Sequence, residues 1–472
     1  MDWKTLLNRE RPRKSTSSGD HREEFERDFD RSIFSNPVKR LQDKAQVFPL
    51  EPCDAVRTRL THSLEVSSVA RGLATKAGKW LVAEKEIEQG TERQIEAIAA
   101  TAALIHDLGN PPFGHAGEAA IREWFINHAA SVAMARPDEK QAHDFLSREF
   151  GGDEQCVFDF LRFEGNAQTL RLVTKLQILA DFNGLNLTFG TLSAATKYTA
   201  ASHKVAASGD KAMKKPGFFA SENDIVGRVR DATGTGNARN PITYLVEASD
   251  DIVYSVADVE DGVKKGVISW SEIEGRLKES GDDVQPSLEE SLTRKNSILK
   301  AGRESVPSHL SDDIHASAFR TAVIGVAVGE AFEMFKKAYG AIMSGTYQSD
   351  LISDCAAAPL INALKGIGAQ RIYCTPSTLK LEIMGRRIIA DLMTLFWEGA
   401  EKLPTDKEPK TKDFPGRIGA LLSKNYREVF RCMSTDRDLP DPYRRYQLVT
   451  DYVCGMTDSF ARTLHRELFN AA

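Results

Sequence analysis

The chain has no run of about 18 consecutive apolar residues, so no stretch reads as a membrane-spanning helix. Its first residues, MDWKTLLNRERPRKSTSSGD, are polar and basic and lack the apolar centre of an export leader, so the expectation is a cytoplasmic protein without membrane contact. The six cysteines, at 53, 156, 355, 374, 432 and 454, show no C-x-x-C spacing, which argues against a zinc knuckle or a disulfide framework. No repeat, low-complexity tract, glycine-rich phosphate loop or alternating strand series occurs. An excess of positive charge is also missing: the net charge is −5, which gives no global attraction for nucleic acid or an anionic membrane, and any basic site must be local. What the chain does have is helical periodicity in an ordinary globular composition, 41% hydrophobic and 27% charged, over 472 residues. The expectation is an all-α protein.

The densest chemistry lies in Thr101–Glu118, TAALIHDLGNPPFGHAGE. Ile95, Ile98, Ala99, Ala102 and Ile105 recur at helical spacing, and His106, four residues after Ala102, projects from that buried face with Asp107 beside it. Gly109 and the Pro111-Pro112 pair stop this helix, because proline lacks an N–H and restricts the residue before it. A new helix opens near His115, with Glu118 three residues on and able to pair with the imidazole. An adjacent histidine and aspartate at a helix end offer a divalent cation one nitrogen and one oxygen ligand, which alone do not make a site.

Two further helices supply candidates. Val66, Val69, Ala70, Leu73, Ala77 and Trp80 share a core face, and His62 lies on it, four residues before Val66. The 44 residues between His62 and His106 suit an antiparallel helical pair. Asn240-Pro241 is a cap and first-turn proline for a helix whose apolar face runs through Ile242, Leu245, Ile252, Val256 and Val263. The opposite face repeats Glu247, Asp250, Tyr254, Asp258 and Asp261 with no lysine until Lys264, so something cationic should compensate it. Lys197, Tyr198, Lys214 and Lys215, set among small and aromatic residues, suit a nucleoside triphosphate, whose charge needs several cations. Residues 1–35 read as a mobile N-terminal arm, and residues 266–320, Ser-rich and charged, as an irregular surface excursion.

Taken in order, RTRLTHSLEV, IHDLGNPPFGHAGEA, FEGNAQ, TKYT, MKKPGFF, EASDDIVYSVADVED and the closing DYVCGMTDSFA resemble the bacterial deoxyguanosine triphosphate triphosphohydrolases of the HD superfamily, from about Asn36 to the C-terminus. The resemblance implies an all-α, HD-domain metal-dependent phosphohydrolase fold with extra C-terminal helices. It divides the chain into the arm, an HD catalytic core over 36–265, and a helical region over 266–472 that completes the active site and makes oligomer contacts. The implied metal ligands are His62, His106, Asp107 and Asp250, a donor set that accepts several divalent ions, Mn²⁺ or Mg²⁺ being favoured.

The implied reaction is hydrolysis of dGTP to deoxyguanosine and inorganic triphosphate, by water attacking the α-phosphorus. His115 would protonate the leaving 5′ oxygen, and Glu118 would keep it oriented and charged. Arg59, Lys197, Tyr198 and Lys215 would meet the triphosphate; Gln46, Val47, Tyr254, Asp258 and Glu382 the sugar and base; Asn166 is a further substrate contact. Tyr254 against the ribose would exclude a 2′ hydroxyl, and Glu382 could accept the guanine N1 and N2 hydrogens. The family also implies homo-oligomers, often hexamers, and in some members single-stranded DNA as an effector. Rival readings are a broader dNTP triphosphohydrolase, another HD phosphohydrolase such as a phosphodiesterase, and a non-catalytic nucleotide- or DNA-binding regulator.

Overall fold

Helix starts along the chain carry the signals that local chemistry requires. The Arg59–Ala83 helix opens on Thr58, whose hydroxyl accepts the Thr61 N–H at 3.4 Å while Thr61 Oγ1 accepts the Thr58 N–H at 3.0 Å, a reciprocal cap. The Pro241–Lys264 helix opens on Asn240, whose side chain accepts the Ile242 N–H at 2.9 Å, with Pro241 where no N–H is needed. These helices belong to a computed structural model that describes residues 1–14, 21–51, 53–134, 136–179, 181–205, 209–301, 310–433 and 439–469. Among the described residues the only strands are Ala200–Ala201 and Pro216–Phe218, a short parallel pair; the rest of the regular structure is helical. The fold is all-α, as the periodicity requires.

Two apolar cores organise the helices. In one, Arg59–Ala83 and Glu92–Ile105 pack against each other and against Pro241–Lys264 and the long Ser311–Ser344 helix, burying Val66, Ala70, Leu73, Ile98, Ile252, Val256 and Phe335. In the other, His115–Ala133 packs with Pro376–Glu401 and Asp441–Cys454 around Phe125, Phe396, Tyr443 and Tyr446. The segment 106–114 connects a helix of the first core to a helix of the second, so His106, Asp107 and His115 stand where the two cores meet.

Two expectations are corrected here. Residues 1–35 are not a free arm where described: Trp3, Leu6 and Phe25 are buried in the first core, the Trp3 indole donates to Tyr339 Oη at 2.9 Å, and Arg11 donates to Asp28 and to the Asn186 carbonyl. Sparse apolar residues sufficed because each inserts between helices distant in sequence; positions 15–20 lie outside the described residues. The stretch 266–320 is likewise built, with helices Trp270–Lys278 and Gln285–Ala301 and the start of Ser311–Ser344 burying Trp270, Ile273, Leu277, Leu288 and Phe319. Serine and charge on the outer faces mask a helical period whose apolar positions are few; positions 302–309 lie outside the described residues.

Candidate metal centre and nucleotide cleft

His62 sits in the first turn of its helix and His106 at the end of Glu92–Ile105, and the antiparallel packing of those helices brings the two imidazoles to a centroid separation of 5.5 Å. His106 turns Nδ1 to the Ala103 carbonyl at 2.6 Å, which leaves Nε2 facing Asp107 Oδ1 at 3.6 Å and Asp250 Oδ1 at 3.5 Å. His62 Nε2 lies 3.1 Å from the same Asp250 oxygen. Ligand atoms of His62, His106 and Asp107 all fall within 4.8 Å of one another. Burial penalises charge on His106, but Asp107 and Asp250 outweigh it and raise the imidazole to about 9; Asp107 is correspondingly lowered to about 2 against its own burial by His106 and Arg59. Two imidazoles and two ionised carboxylates converging this closely fit a divalent cation, and none of them is committed elsewhere by a structural ion pair that would have to break, apart from Arg59 on Asp107 and Lys197 near Asp250.

The acidic face of the Pro241–Lys264 helix is compensated as expected. Arg239 pairs with Glu247 at 2.7 Å, Lys197 stands 3.7 Å from both Glu247 and Asp250, and Lys365 pairs with Asp251 at 2.7 Å. Further along, Arg57 binds Glu260 and Asp261. Burial disfavours charge on Lys197, but Glu247 and Asp250 hold it protonated.

Beside this centre opens a cleft of about 440 Å³. His106, Asp107 and Asp250 form its floor, with His62 buried behind them. Arg59, Lys197, Tyr198 and Lys215 line one part, and Lys215 Nζ is 3.0 Å from Glu164. Gln46, Val47, Asn166, Tyr254 and Glu382 line the remainder. His115 stands open to the cleft while Glu118, one turn on, is buried; His115 Nδ1 and Glu118 Oε2 are 3.1 Å apart. The hydrogen bond that His115 donates to Glu118 raises the His115 pKa against its desolvation. Glu118 Oε1 also accepts the Gly165 N–H at 2.9 Å, and a Cβ at residue 165 would stand 2.8 Å from that oxygen and 2.2 Å from Asn110 Oδ1, so glycine is required for this approach.

Asp258 departs from the expectation of a direct sugar contact. It is 1% exposed and lies off the cleft lining, accepting a hydrogen bond at 2.5 Å from the hydroxyl of Tyr373, which itself lines the cleft. Asp258 is two helical turns beyond Asp250 yet buried, while the Tyr254 and Tyr373 rings, both cleft residues, stand 6.5 Å apart between centroids. Tyr373, Thr378, Asn110 and Glu164 are cleft residues that sequence reasoning did not single out. Glu164 stands within the FEGNAQ motif and was findable there; Tyr373 follows the π-helical segment Gly368–Ile372, whose wider turn breaks the 3.6-residue period.

Comparison with known proteins agrees with this geometry. The HD domain family model matches residues 59–151, the stretch that holds His62, His106, Asp107, His115 and Glu118. A Listeria innocua deoxyguanosinetriphosphate triphosphohydrolase-like protein is 37% identical over 480 residues, covering 99% of each chain, and a Listeria monocytogenes protein of the same name is 36% identical over 481 residues, again covering 99% of each. The deoxyguanosinetriphosphate triphosphohydrolase of Yersinia pseudotuberculosis is 32% identical over 510 residues, covering 100% of this chain and 99% of that one. With a histidine and aspartate cluster suited to a divalent metal and relatives matched from end to end, this chain is a phosphohydrolase and belongs to the deoxyguanosinetriphosphate triphosphohydrolase family of the HD superfamily.

Proposed function

We propose that the protein hydrolyses dGTP to deoxyguanosine and inorganic triphosphate, with water attacking the α-phosphorus. The observation that carries this reading is one cleft lined together by a histidine on a buried carboxylate, His115 on Glu118, by His106, Asp107 and Asp250, and by the cations Arg59, Lys197 and Lys215. Arg59, Lys197 and Lys215 offset the charge of a triphosphate, and Lys197 is protonated at any pH the enzyme meets. His115 holds Glu118 through Nδ1, so its other nitrogen is the one available to hand a proton to the departing 5′ oxygen, a poor leaving group unless protonated. His62, His106, Asp107 and Asp250 would hold the divalent ion, Mn²⁺ or Mg²⁺ by preference, which supplies Lewis acidity at phosphate oxygens and toward water.

The sugar would lie against Tyr254 and Tyr373, whose stacked rings leave little room for a 2′ hydroxyl, and Glu382 would accept from the guanine edge. Gln46, Val47, Asn166 and Tyr198 complete the wall. Asp258 would act on the sugar through Tyr373 rather than directly. Product analysis on a panel of nucleotides is the test: release of intact triphosphate from dGTP supports the reading, and diphosphate or monophosphate products reject it. We carry over from the family a homo-oligomer and a single-stranded DNA effector; light scattering and turnover with and without oligonucleotide test each.

A further inference from the structure

The closing motif DYVCGMTDSFA lies well outside the stretch matched by the HD domain model and does not line the cleft, yet it hydrogen-bonds to two residues that do. Its last aspartate, Asp458, occupies the first turn of the Asp458–Phe469 helix. Asp458 is not the cap of that helix: Thr457 Oγ1 accepts the Phe460 N–H at 3.3 Å. The Asp458 carboxylate, 2% exposed, is instead turned inward and divided between two segments. Oδ2 accepts the N–H of Ala45 at 3.0 Å and Oδ1 accepts the N–H of Phe113 at 2.9 Å.

Both donors line the cleft. Ala45 immediately precedes Gln46 and Val47, and Phe113-Gly114 leads directly into His115. Phe113 and Gly114 have φ of +63° and +57°, a left-handed pair that disfavours a non-glycine residue and holds only where surrounding contacts determine it. Lys44 spans the same junction, its buried Nζ donating to the carbonyls of Asn110 at 2.6 Å and Cys454 at 2.8 Å. Three segments, around residues 44–45, 110–113 and 454–458, therefore meet at one turn, and a carboxylate is the side chain that can accept two backbone donors from different directions at once.

We infer that Asp458 is a positioning residue, setting the Gln46–Val47 loop against the turn that carries His115 by giving one oxygen to each. The kinetic part of this inference rests on the proposed triphosphohydrolase reading; the structural part does not. An amide has a single acceptor oxygen, so Asp458→Asn can satisfy only one of the two N–H groups and turns an NH₂ toward the other.

The test uses the full chain with three variants, Asp458→Asn, Asp458→Ala and, as a control that removes the helix cap alone, Thr457→Ala. Expected for Asp458→Asn is native metal content, faster amide exchange at Ala45 or Phe113 with exchange around His62 and Asp250 unchanged, and a loss of about 10²-fold in kcat/KM for dGTP, as for a displaced catalytic group. Release of the Phe113 side lowers kcat, and release of the Ala45 side raises KM and narrows discrimination among dNTPs. Asp458→Ala does both, while Thr457→Ala lowers Tm and leaves both amides and both constants near native. Native exchange at both amides in Asp458→Ala overturns the inference, as does a Thr457→Ala kinetic loss equal to that of Asp458→Asn. If neither Asp458 variant folds, exchange on the native chain decides, since rapidly exchanging Ala45 and Phe113 amides are incompatible with the clamp. Absence of dGTP hydrolysis by the native protein rejects the proposed function, and the exchange data still decide the role of Asp458.

Discussion

His115 and Glu118 are joined across one helical turn at 3.1 Å, the imidazole open to the cleft and the carboxylate buried and anchored by the Gly165 N–H. The pair is asymmetric in a useful way. The half open to the cleft is the imidazole, which the pairing keeps protonated to higher pH, and the buried half is held from two sides by His115 and the Gly165 N–H.

An acid role for His115 predicts that His115→Ala loses about 10²- to 10⁴-fold in turnover while nucleotide and metal binding persist. Single-turnover rates alongside equilibrium binding of dGTP make the distinction. Near-native turnover would mean that the leaving oxygen takes its proton from elsewhere.

The Glu118 carboxylate raises the His115 pKa, so the acid form persists to higher pH than for an isolated imidazole. Glu118→Gln removes the negative charge, lowers that pKa and should move the alkaline limb of the kcat/KM profile to lower pH. A profile that stays in place shows that His115 is not the group titrating there.

Both His62 and His106 lie against Asp250, and if the three hold a metal as proposed, removing any of them leaves an open, weakened site. His62→Ala, His106→Ala and Asp250→Ala should each lose bound metal by elemental analysis yet retain a native far-ultraviolet circular dichroism spectrum. Full occupancy in any one variant removes that residue from the ligand set.

Tyr254 shares a helix with Asp250, so ring and ligand are geometrically tied. If the ring bars the 2′ hydroxyl, Tyr254→Ala raises kcat/KM for GTP relative to dGTP and stays active, because volume at the sugar is separate from the groups acting at phosphorus. An unchanged ratio in an active variant places the deoxy preference elsewhere, Tyr373 being the next ring to replace.

Burial raises Asp258 from 3.8 to about 8, outweighing the Tyr373 hydrogen bond that lowers it. Between those values the folded protein keeps a proton that the unfolded chain has released, so this group's contribution to stability is full at low pH and falls as pH rises, by up to about 1.4 kcal/mol per unit. Asp258→Asn should flatten the decline of Tm from pH 5 to pH 8. An identical slope in the two proteins would assign that proton to another group.

The sequence by itself determined the helices and the faces they turn inward, because periodicity, caps and prolines act within a few residues. Periodicity put His62 and His106 at inward positions and His115 and Glu118 one turn apart, while their grouping with Asp107 and Asp250 as a ligand set came from the family resemblance. Tertiary structure alone decided what those faces meet. It buried Asp258 on the Tyr373 hydroxyl, brought Tyr373 into the cleft from the end of a π-helical segment, buried Trp3 and Phe25 out of a polar N-terminal stretch, and set Asp458 against Ala45 and Phe113. Contacts between residues 345 and 413 positions apart depend on the packing of whole helical surfaces, and no local propensity encodes which backbone N–H a buried carboxylate will find.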